Sequence, residues 1–394
     1  QRVRATKIYR LEGIGRDQAE ALAQSLLCDP LTQTYAMRQE RMNGKVRRIE
    51  VAYQPGVMNP EAASILKAAH DSGITALVAA DSSWEYHIFG ALTDDEVHQI
   101  VDRLLVNETV EHVVTEQPTT LLIGSEPGSV QIVLIRTLTD ATLESLSRTR
   151  KLFLNLEEMR VIQRHFQQLG REPTDAELET LAQTWSEHCS HKTFKARLMV
   201  GGQEKQPLIT RLMEKSKQYK KGVLSSFVDN SGVIEFFDGH AVCGKVETHN
   251  SPSAIEPYGG AMTGSGGVFR DIMGTGQGAK VIASTDMFCF APPDLPDDQL
   301  PDGCLHPRYL LRKVVAGVRD YGNRMGIPTN NGSVHFHPDF RAKPSVIVGS
   351  YGILPADKCQ KGEPQPGDVI MTVGGRTGRD GIHGATFSSG EMTA

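Results

Sequence analysis

Between residues 243 and 280 the sequence gathers side chains able to handle a charged ligand. Cys243-Gly-Lys-Val-Glu-Thr-His-Asn-Ser-Pro reads as a strand running out into a loop. Alternate residues of a strand share a face, so Lys245, Glu247 and His249 project to one side. A cation, an acid and an imidazole there suit an anionic ligand held with a metal; a solvated face with a Lys–Glu pair has the same pattern. Downstream, Gly259-Gly-Ala-Met-Thr-Gly-Ser-Gly-Gly-Val-Phe-Arg-Asp reads as a glycine-rich loop. Without Cβ atoms, its backbone N–H groups can approach a polyphosphate, helped by Thr263 and Ser265. Arg270 can fork onto phosphate oxygens, and Asp271 is a hard oxygen donor suited to Mg²⁺. A second loop, Gly274-Thr-Gly-Gln-Gly-Ala-Lys280, can lengthen that surface. Neither stretch is a Walker A loop or a dinucleotide fingerprint. Together they point to a nucleotide with magnesium.

Two other groupings carry less. His335-Phe-His337 puts two imidazoles on one face of an expected strand, with no third ligand nearby, which favours a structural role. Cys189 lies between His188 and His191, but no acid or oxyanion partner is visible, and a buried cysteine is the commoner case.

The elements that must position these residues follow from periodicity. Residues 47–53 alternate with Ile49, Val51 and Tyr53 on one face, and 74–80 read as a buried strand. A Pro55-Gly56 turn precedes a helix capped by Asn59, with Pro60 in its first turn and Gly73 at its end. Thr93-Asp-Asp-Glu96 is a capping box for a second helix, and 131–135 are expected to form another strand. His70, His87, His98 and His112 are scattered and read as structural or surface residues. A helical connector follows, with a stripe of Met159, Ile162, Phe166 and Leu169 stopped by Gly170. Thr174-Asp-Ala-Glu177 caps the next helix, whose continuation puts His188 at the edge of the apolar stripe and Glu187 opposite. From about residue 197 short strands alternate with glycine-rich turns; a helix through Val314, Val318 and Met325 ends at Gly326, and 346–353 are a strand. Residues 362–367 read as a linker and 368–373 as the strand opening a new unit.

Bulk properties bound the reading. At 394 residues the chain suits two or three domains. With 39% apolar and 23% charged residues it is globular, and a net charge of −5 argues against nucleic acid as the main partner. No apolar run is long enough to span a bilayer as a helix, and no signal peptide is visible. Six scattered cysteines contain no C-x-x-C pair, which fits reduced thiols in a cytoplasmic protein. The start at Gln1 and the stop at Ala394 suggest a piece of a larger chain.

Thr184-Trp-Ser-Glu-His-Cys-Ser-His-Lys192, preceded by Gly170-Arg-Glu-Pro-Thr-Asp, resembles the Ser-Glu-His-Cys motif of phosphoribosylformylglycinamidine synthase. Gly244-Lys-Val-Glu-Thr-His-Asn250 and Thr263-Gly-Ser-Gly-Gly with Arg270-Asp271 match two more of its motifs in the same order. Pro55-Gly-Val-Met-Asn-Pro60 and Leu104-Leu-Val-Asn-Glu-Thr-Val-Glu111 are similar to the family's small-subunit module. The resemblance implies an α+β architecture in four parts. A small-subunit-like α/β sandwich fills 1–140, and a helical linker carries the Ser-Glu-His-Cys motif in 141–196. The N-terminal domain of an aminoimidazole-ribonucleotide-synthetase-like fold, a mixed sheet with helices, fills 197–361, and 362–394 begin the next, incomplete domain.

The resemblance also implies an ATP-dependent ligase of purine biosynthesis. Such an enzyme converts formylglycinamide ribonucleotide and glutamine-derived ammonia to formylglycinamidine ribonucleotide through an iminophosphate. By matching motifs, His188 and His249 are the active-site histidines, His249 the proton acceptor. His191, Lys245, Gly260, Thr263, Gly264, Ser265, Gly266 and Gly267 contact ATP. Thr248, His249, Asn250, Ser251 and Arg270 contact the substrate, while Glu247 and Asp271 hold Mg²⁺. Ser251 stands where many relatives have a second histidine, and His191 where some have tyrosine. The implied partners are the rest of the synthetase, a glutaminase domain and, through the sheet after residue 197, a second copy. Two other readings accompany this one: a non-catalytic nucleotide-binding or dimerisation module, and another member of the same ATP-binding superfamily. The chain on its own is expected to have little or no synthase activity.

Overall fold

The computed structural model describes residues 2–37, 46–54, 57, 59–107, 110–122, 129–219, 221–373 and Gly384. The expected turn at Pro55-Gly56, the pair Glu108-Thr109 and most of the expected start of a further domain lie outside them. The chain divides into two units at Gly128–Ser129.

Alternating apolar residues and well-marked caps build the first unit. It contains β1 (Arg2–Glu12), α1 (Arg16–Leu22), β2 (Val46–Tyr53), α2 (Pro60–Asp71), β3 (Ala79–Phe89), α3 (Asp94–Ile100) and β4 (Glu111–Val113). The strands form an antiparallel sheet in the order β1-β3-β2-β4. Asn59 caps α2 by accepting from the Glu61 and Ala62 N–H groups, and Thr93 with Glu96 closes the expected capping box on α3. Leu22, Ile65, Ala69 and Leu77 form one core cluster, and Ile49, Val51 and Ile88 another. β2 and β3 also bury Glu50 and Glu85, which pair with Arg10 and Arg48. The strand expected over 74–80 begins only at Ala79; 74–78 form the connection into it.

The second unit opens with helices α4 (Asp140–Thr149), α5 (Leu156–Leu169), α6 (Asp175–Thr184), α7 (Glu187–Ser190) and α8 (Lys192–Lys195). Leu143, Met159, Ile162, Phe166 and Leu178 make a core shared by α4, α5 and α6, and Gly170 ends α5 in the left-handed region at φ 70°. The strand expected over 131–135 is not formed. Only Ile132 bridges to Thr174, while Val133 and Ile135 are held in the helical core. The helix through His188 is also interrupted, because Trp185 ends α6 and Ser186 caps α7 anew.

Beyond these lie β5 (Leu198–Val200), β6 (Gln203–Lys205), α9 (Leu208–Gln218), β7 (Val223–Ser225), β8 (Gly232–Glu235), β9 (His240–Thr248), α10 (Asn250–Ile255) and α11 (Pro257–Met273). Then come β10 (Lys280–Phe290), α12 (Pro307–Met325), β11 (Thr329–Phe336) and β12 (Ser345–Pro355). β5 and β6 pair with each other, and six strands form a mixed sheet in the order β11-β10-β12-β9-β8-β7, parallel only between β10 and β11. The core beneath α11 and α12 includes Ala261, Val268, Phe269, Phe288, Phe290, Val314, Val346 and Val348. The mixed α+β class agrees with expectation, as do β12 and the stop of α12 at Gly326.

The strand expected over 368–373 is absent. No ladder partner lies beside it among the described residues, and Ile370 is 95% exposed.

Candidate functional site

β9 delivers its residues as alternation requires. Cys243 is fully buried against Ile272 of α11, and Lys245 and Glu247 follow on the same face. Lys245 Nζ lies 2.8 Å from Asp271 Oδ2 in the last turns of α11. His249 leaves the strand, its N–H donating 2.8 Å to the Val346 carbonyl, while Asn250 Oδ1 accepts from the Val346 N–H at 2.8 Å. These two bonds fix the start of α10 to β12.

The glycine-rich segment is helical, which corrects the loop expectation. Pro257 supplies the first turn, Glu256 accepts from the Gly259 N–H, and the helix continues through Asp271. Inside a helix the N–H groups are already bonded to carbonyls four residues back, so free donors for phosphate are lost there. The glycines serve close approach instead. A Cβ at Gly260 would stand 2.6 Å from the Ser253 backbone nitrogen, one at Gly264 would stand 3.1 Å from His249 Cβ, and one at Gly267 would overlap Glu247 Oε1. Gly266 similarly makes room for Tyr321 of α12, at 2.9 Å from its Oη. Spacings of four, three and four residues put Gly260, Gly264, Gly267 and Asp271 on one side of α11.

The electrostatics of the cluster follow from its burial. Burial pushes the Glu247 carboxyl above its ordinary range; Lys245 opposes the shift, Asp271 adds to it and Arg270 opposes it. His249 is lowered, first by burial and then by His188 acting on it through space. Thus Lys245, Glu247, His249, Arg270 and Asp271 share one region, with His188 near enough to be felt.

His188 is presented by a local cap. Ser186 Oγ donates 2.7 Å to the Gln183 carbonyl and accepts from the Cys189 N–H at 3.2 Å, while the Glu187 carboxylate accepts from the Thr193 N–H at 3.0 Å. The Ser186 and Glu187 side chains just before His188 are therefore both spent on backbone. Cys189 is exposed, against the expectation of a buried thiol.

The remaining expected residues differ in exposure and in what their side chains bond. Thr248 is exposed on the opposite face of β9, and Ser251 is buried in α10. His191 is exposed with a left-handed backbone (φ 51°) between α7 and α8. Ser265 is buried and donates to the Ala261 carbonyl, whereas Thr263 is exposed and donates to the Gly259 carbonyl at 2.8 Å. Arg270 donates from Nε to the Gly266 carbonyl at 3.3 Å. The 274–280 loop is a packing element. Gly276 accepts no Cβ against the 358–359 backbone, and its N–H donates 2.9 Å to Asp229. His335 contacts Ser333 at 3.0 Å and His337 caps the next turn, which fits their structural reading.

Sequence reasoning passed over Asp286. It sits in β10 facing the helices, opposite Val348, which is itself opposite Glu247. Burial raises its carboxyl to about 6 although the Thr329 and Ser284 hydroxyls oppose the shift, and its buried Oδ1 has no partner among the described residues. An acid alternating with apolar residues within 284–290 was the available signal.

Among the described residues no group of three or more His, Cys, Asp or Glu side chains could hold a metal ion. A cation at Glu247 and Asp271 would be held by two carboxylates and complete its shell with phosphate and water, a habit of Mg²⁺. The raised Glu247 carboxyl beside Asp271 fits such an ion, since added positive charge relieves both.

Residues 143–192 match the formylglycinamide ribonucleotide amidotransferase linker domain, and residues 228–354 match the N-terminal domain of AIR synthase related proteins. Two segments of the chain thus resemble, in order, an amidotransferase linker and the N-terminal domain of AIR-synthase-related proteins. The chain is similar to phosphoribosylformylglycinamidine synthase subunit PurL of Thermoplasma acidophilum, at 41% identity over 65% of this chain and 31% of that protein. The Thermoplasma volcanium subunit is 40% identical over 66% of this chain and 32% of its own length. The structure titled "T. maritima PurL complexed with FGAR" is 33% identical, covers 59% of this chain and 32% of that one, and has a TM-score of 0.43. The resemblance read from the three motifs stands. The chain spans about a third of the length of the curated relatives it matches.

Proposed function

We propose that this chain supplies an ATP- and substrate-binding part of a ligase that makes formylglycinamidine ribonucleotide in purine biosynthesis. The observation that carries the reading is the convergence of Lys245, Glu247, His249 and Asp271 where β9 meets the glycine side of α11. Lys245 neutralises Asp271 at rest and is placed to turn to phosphate oxygens. Glu247 and Asp271 would hold Mg²⁺, which when bound supplies charge neutralisation to the transferring phosphoryl group. His249, kept neutral by burial and by His188, is suited to accept the proton released as ammonia replaces the phosphate of an iminophosphate. Arg270 and Thr263 lie exposed on the same helix and are placed to touch ligand, while Gly260, Gly264, Ser265, Gly266 and Gly267 act through packing. We assign 197–361 as the ATP and substrate domain and 141–196 as the linker that presents His188. We also place the protein in the cytoplasm, with a glutaminase and the remaining synthetase as partners. Because the chain spans about a third of the length of the relatives it matches, residues 1–394 alone are expected to have little or no synthase activity.

A second reading, an assembly module, is favoured by the far face of the six-stranded sheet. Ile234, Val246, Met287 and Tyr351 are exposed there, opposite the helices, and a second copy could cover them.

Calorimetric titration of ATP with and without Mg²⁺, in wild type and Glu247→Ala, tests the first reading. Metal-dependent binding should disappear in the variant; unchanged binding removes Glu247 from the site.

A further inference from the structure

The glycines along α11 face neighbours of different kinds. Gly260 faces the backbone of Pro252 and Ser253, and Gly264 faces the root of the His249 side chain. Only Gly267 of these three faces the free end of an acid, since a Cβ there would overlap Glu247 Oε1. Backbone cannot yield to such an overlap, whereas a carboxylate can swing aside. Glu247 has no hydrogen bond or ion pair to another described residue, although Lys245, Asp271 and Arg270 act on it through space. Its position is therefore set by volume, and the vacant side of Gly267 is the volume it uses.

We propose that Gly267 is a positioning residue for Glu247: its missing side chain leaves the space that seats the carboxylate near the Lys245–Asp271 pair. The inference rests on the reading that Glu247 and Asp271 hold a cation, and adds what sets their spacing. A methyl group at 267 would press the carboxylate off the helix and out of that seat. Packing of the apolar side of α11, through Val268, Phe269 and Ile272, would be untouched.

The test uses the whole chain as Gly267→Ala, Glu247→Asp and the two combined. The Glu247 carboxyl is titrated by carbon-13 NMR without metal, and Mn²⁺ binding is measured separately. In Gly267→Ala the carboxyl should titrate closer to the ordinary range, and Mn²⁺ affinity should fall by about tenfold or more. Glu247→Asp retracts the acid by one methylene, so adding Gly267→Ala to it should weaken binding by less than about twofold. An unchanged Glu247 titration overturns the proposal, and so does a full, additive loss in the combined variant. If Gly267→Ala alone fails to fold, recovery in the combined variant supports the proposal and failure to recover overturns it. Wild type that binds no Mn²⁺ would sink the cation reading, and the titration would still decide the role of Gly267.

Discussion

Lys245 on β9 and Asp271 near the end of α11 are joined by an ion pair of 2.8 Å, each side chain 29% exposed. The pair ties the central sheet to the glycine helix and leaves a cation and an acid at the mouth of one cluster. Partly exposed pairs of this kind stabilise little, about 0.5–1 kcal/mol, so their value lies in placement. Lys245→Met should lower stability in chemical denaturation by no more than about 1 kcal/mol. In the same variant ATP affinity should drop by about tenfold or more, as expected for a lost charge-assisted contact. A large stability loss with unchanged ATP affinity would assign the pair to the fold alone.

Glu247→Gln should stabilise the folded chain while removing the carboxylate that a cation needs. Its folded pKa is raised, so the stability linked to it is fully present below the unfolded value and lost as pH rises through the folded one. At pH 7 the ionised side chain is thus a burden that the amide removes. Melting temperature at pH 7 should rise in the variant, and the difference should shrink toward pH 4. A fall at pH 7 would show that the carboxylate is well accommodated without metal.

His249 carries the opposite sign. Its folded pKa is depressed by burial and by His188, so the linked stability is present above the unfolded value near 6.5 and is lost as pH falls through the folded one. His249→Gln should flatten the acid side of the stability curve just below neutrality. His188→Gln should let the remaining imidazole titrate higher, measurable by proton NMR, and an unmoved His249 titration would separate the two.

Much of this was legible in the chain, and the failures have physical causes. Caps at Asn59, Thr93 and Thr174 are local chemistry, satisfied within three residues, and they are readable from sequence as helix starts. The alternation of Lys245 and Glu247 is equally local. The segment 259–271 was misread because its glycines look like a loop until the neighbours are known. Their helical use depends on contacts to Glu247, His249 and Tyr321, which are distant in sequence or in another element. The strand expected at 131–135 is a short apolar run, but Val133 and Ile135 are claimed by the α4–α6 core. Ser186 breaks a helix whose apolar pattern would otherwise run on to His188.

Gly260→Ala tests the close approach of α11 to α10. Within a free helix the change would gain up to about 1 kcal/mol. Here the new Cβ meets backbone at 2.6 Å, and the net effect should be destabilising by about 1–3 kcal/mol in denaturant. A stabilised variant would mean that the two helices separate easily.

Asp286 is buried, with one oxygen that has no partner among the described residues, and burial raises its carboxyl to about 6. Its linked stability is present below the unfolded carboxylate range and lost as pH rises through about 6. Asp286→Asn should therefore add on the order of 1–3 kcal/mol at pH 8 and little at pH 4. Equal effects at both would point to a counter-charge near Asp286.

Diffraction from crystals grown with ATP analogue and Mn²⁺ tests the central claim most directly, because anomalous scattering locates the metal. Mn²⁺ is predicted about 2–2.5 Å from carboxylate oxygens of both Glu247 and Asp271, with Lys245 turned to the phosphates. Mn²⁺ and nucleotide bound away from all three residues would contradict it.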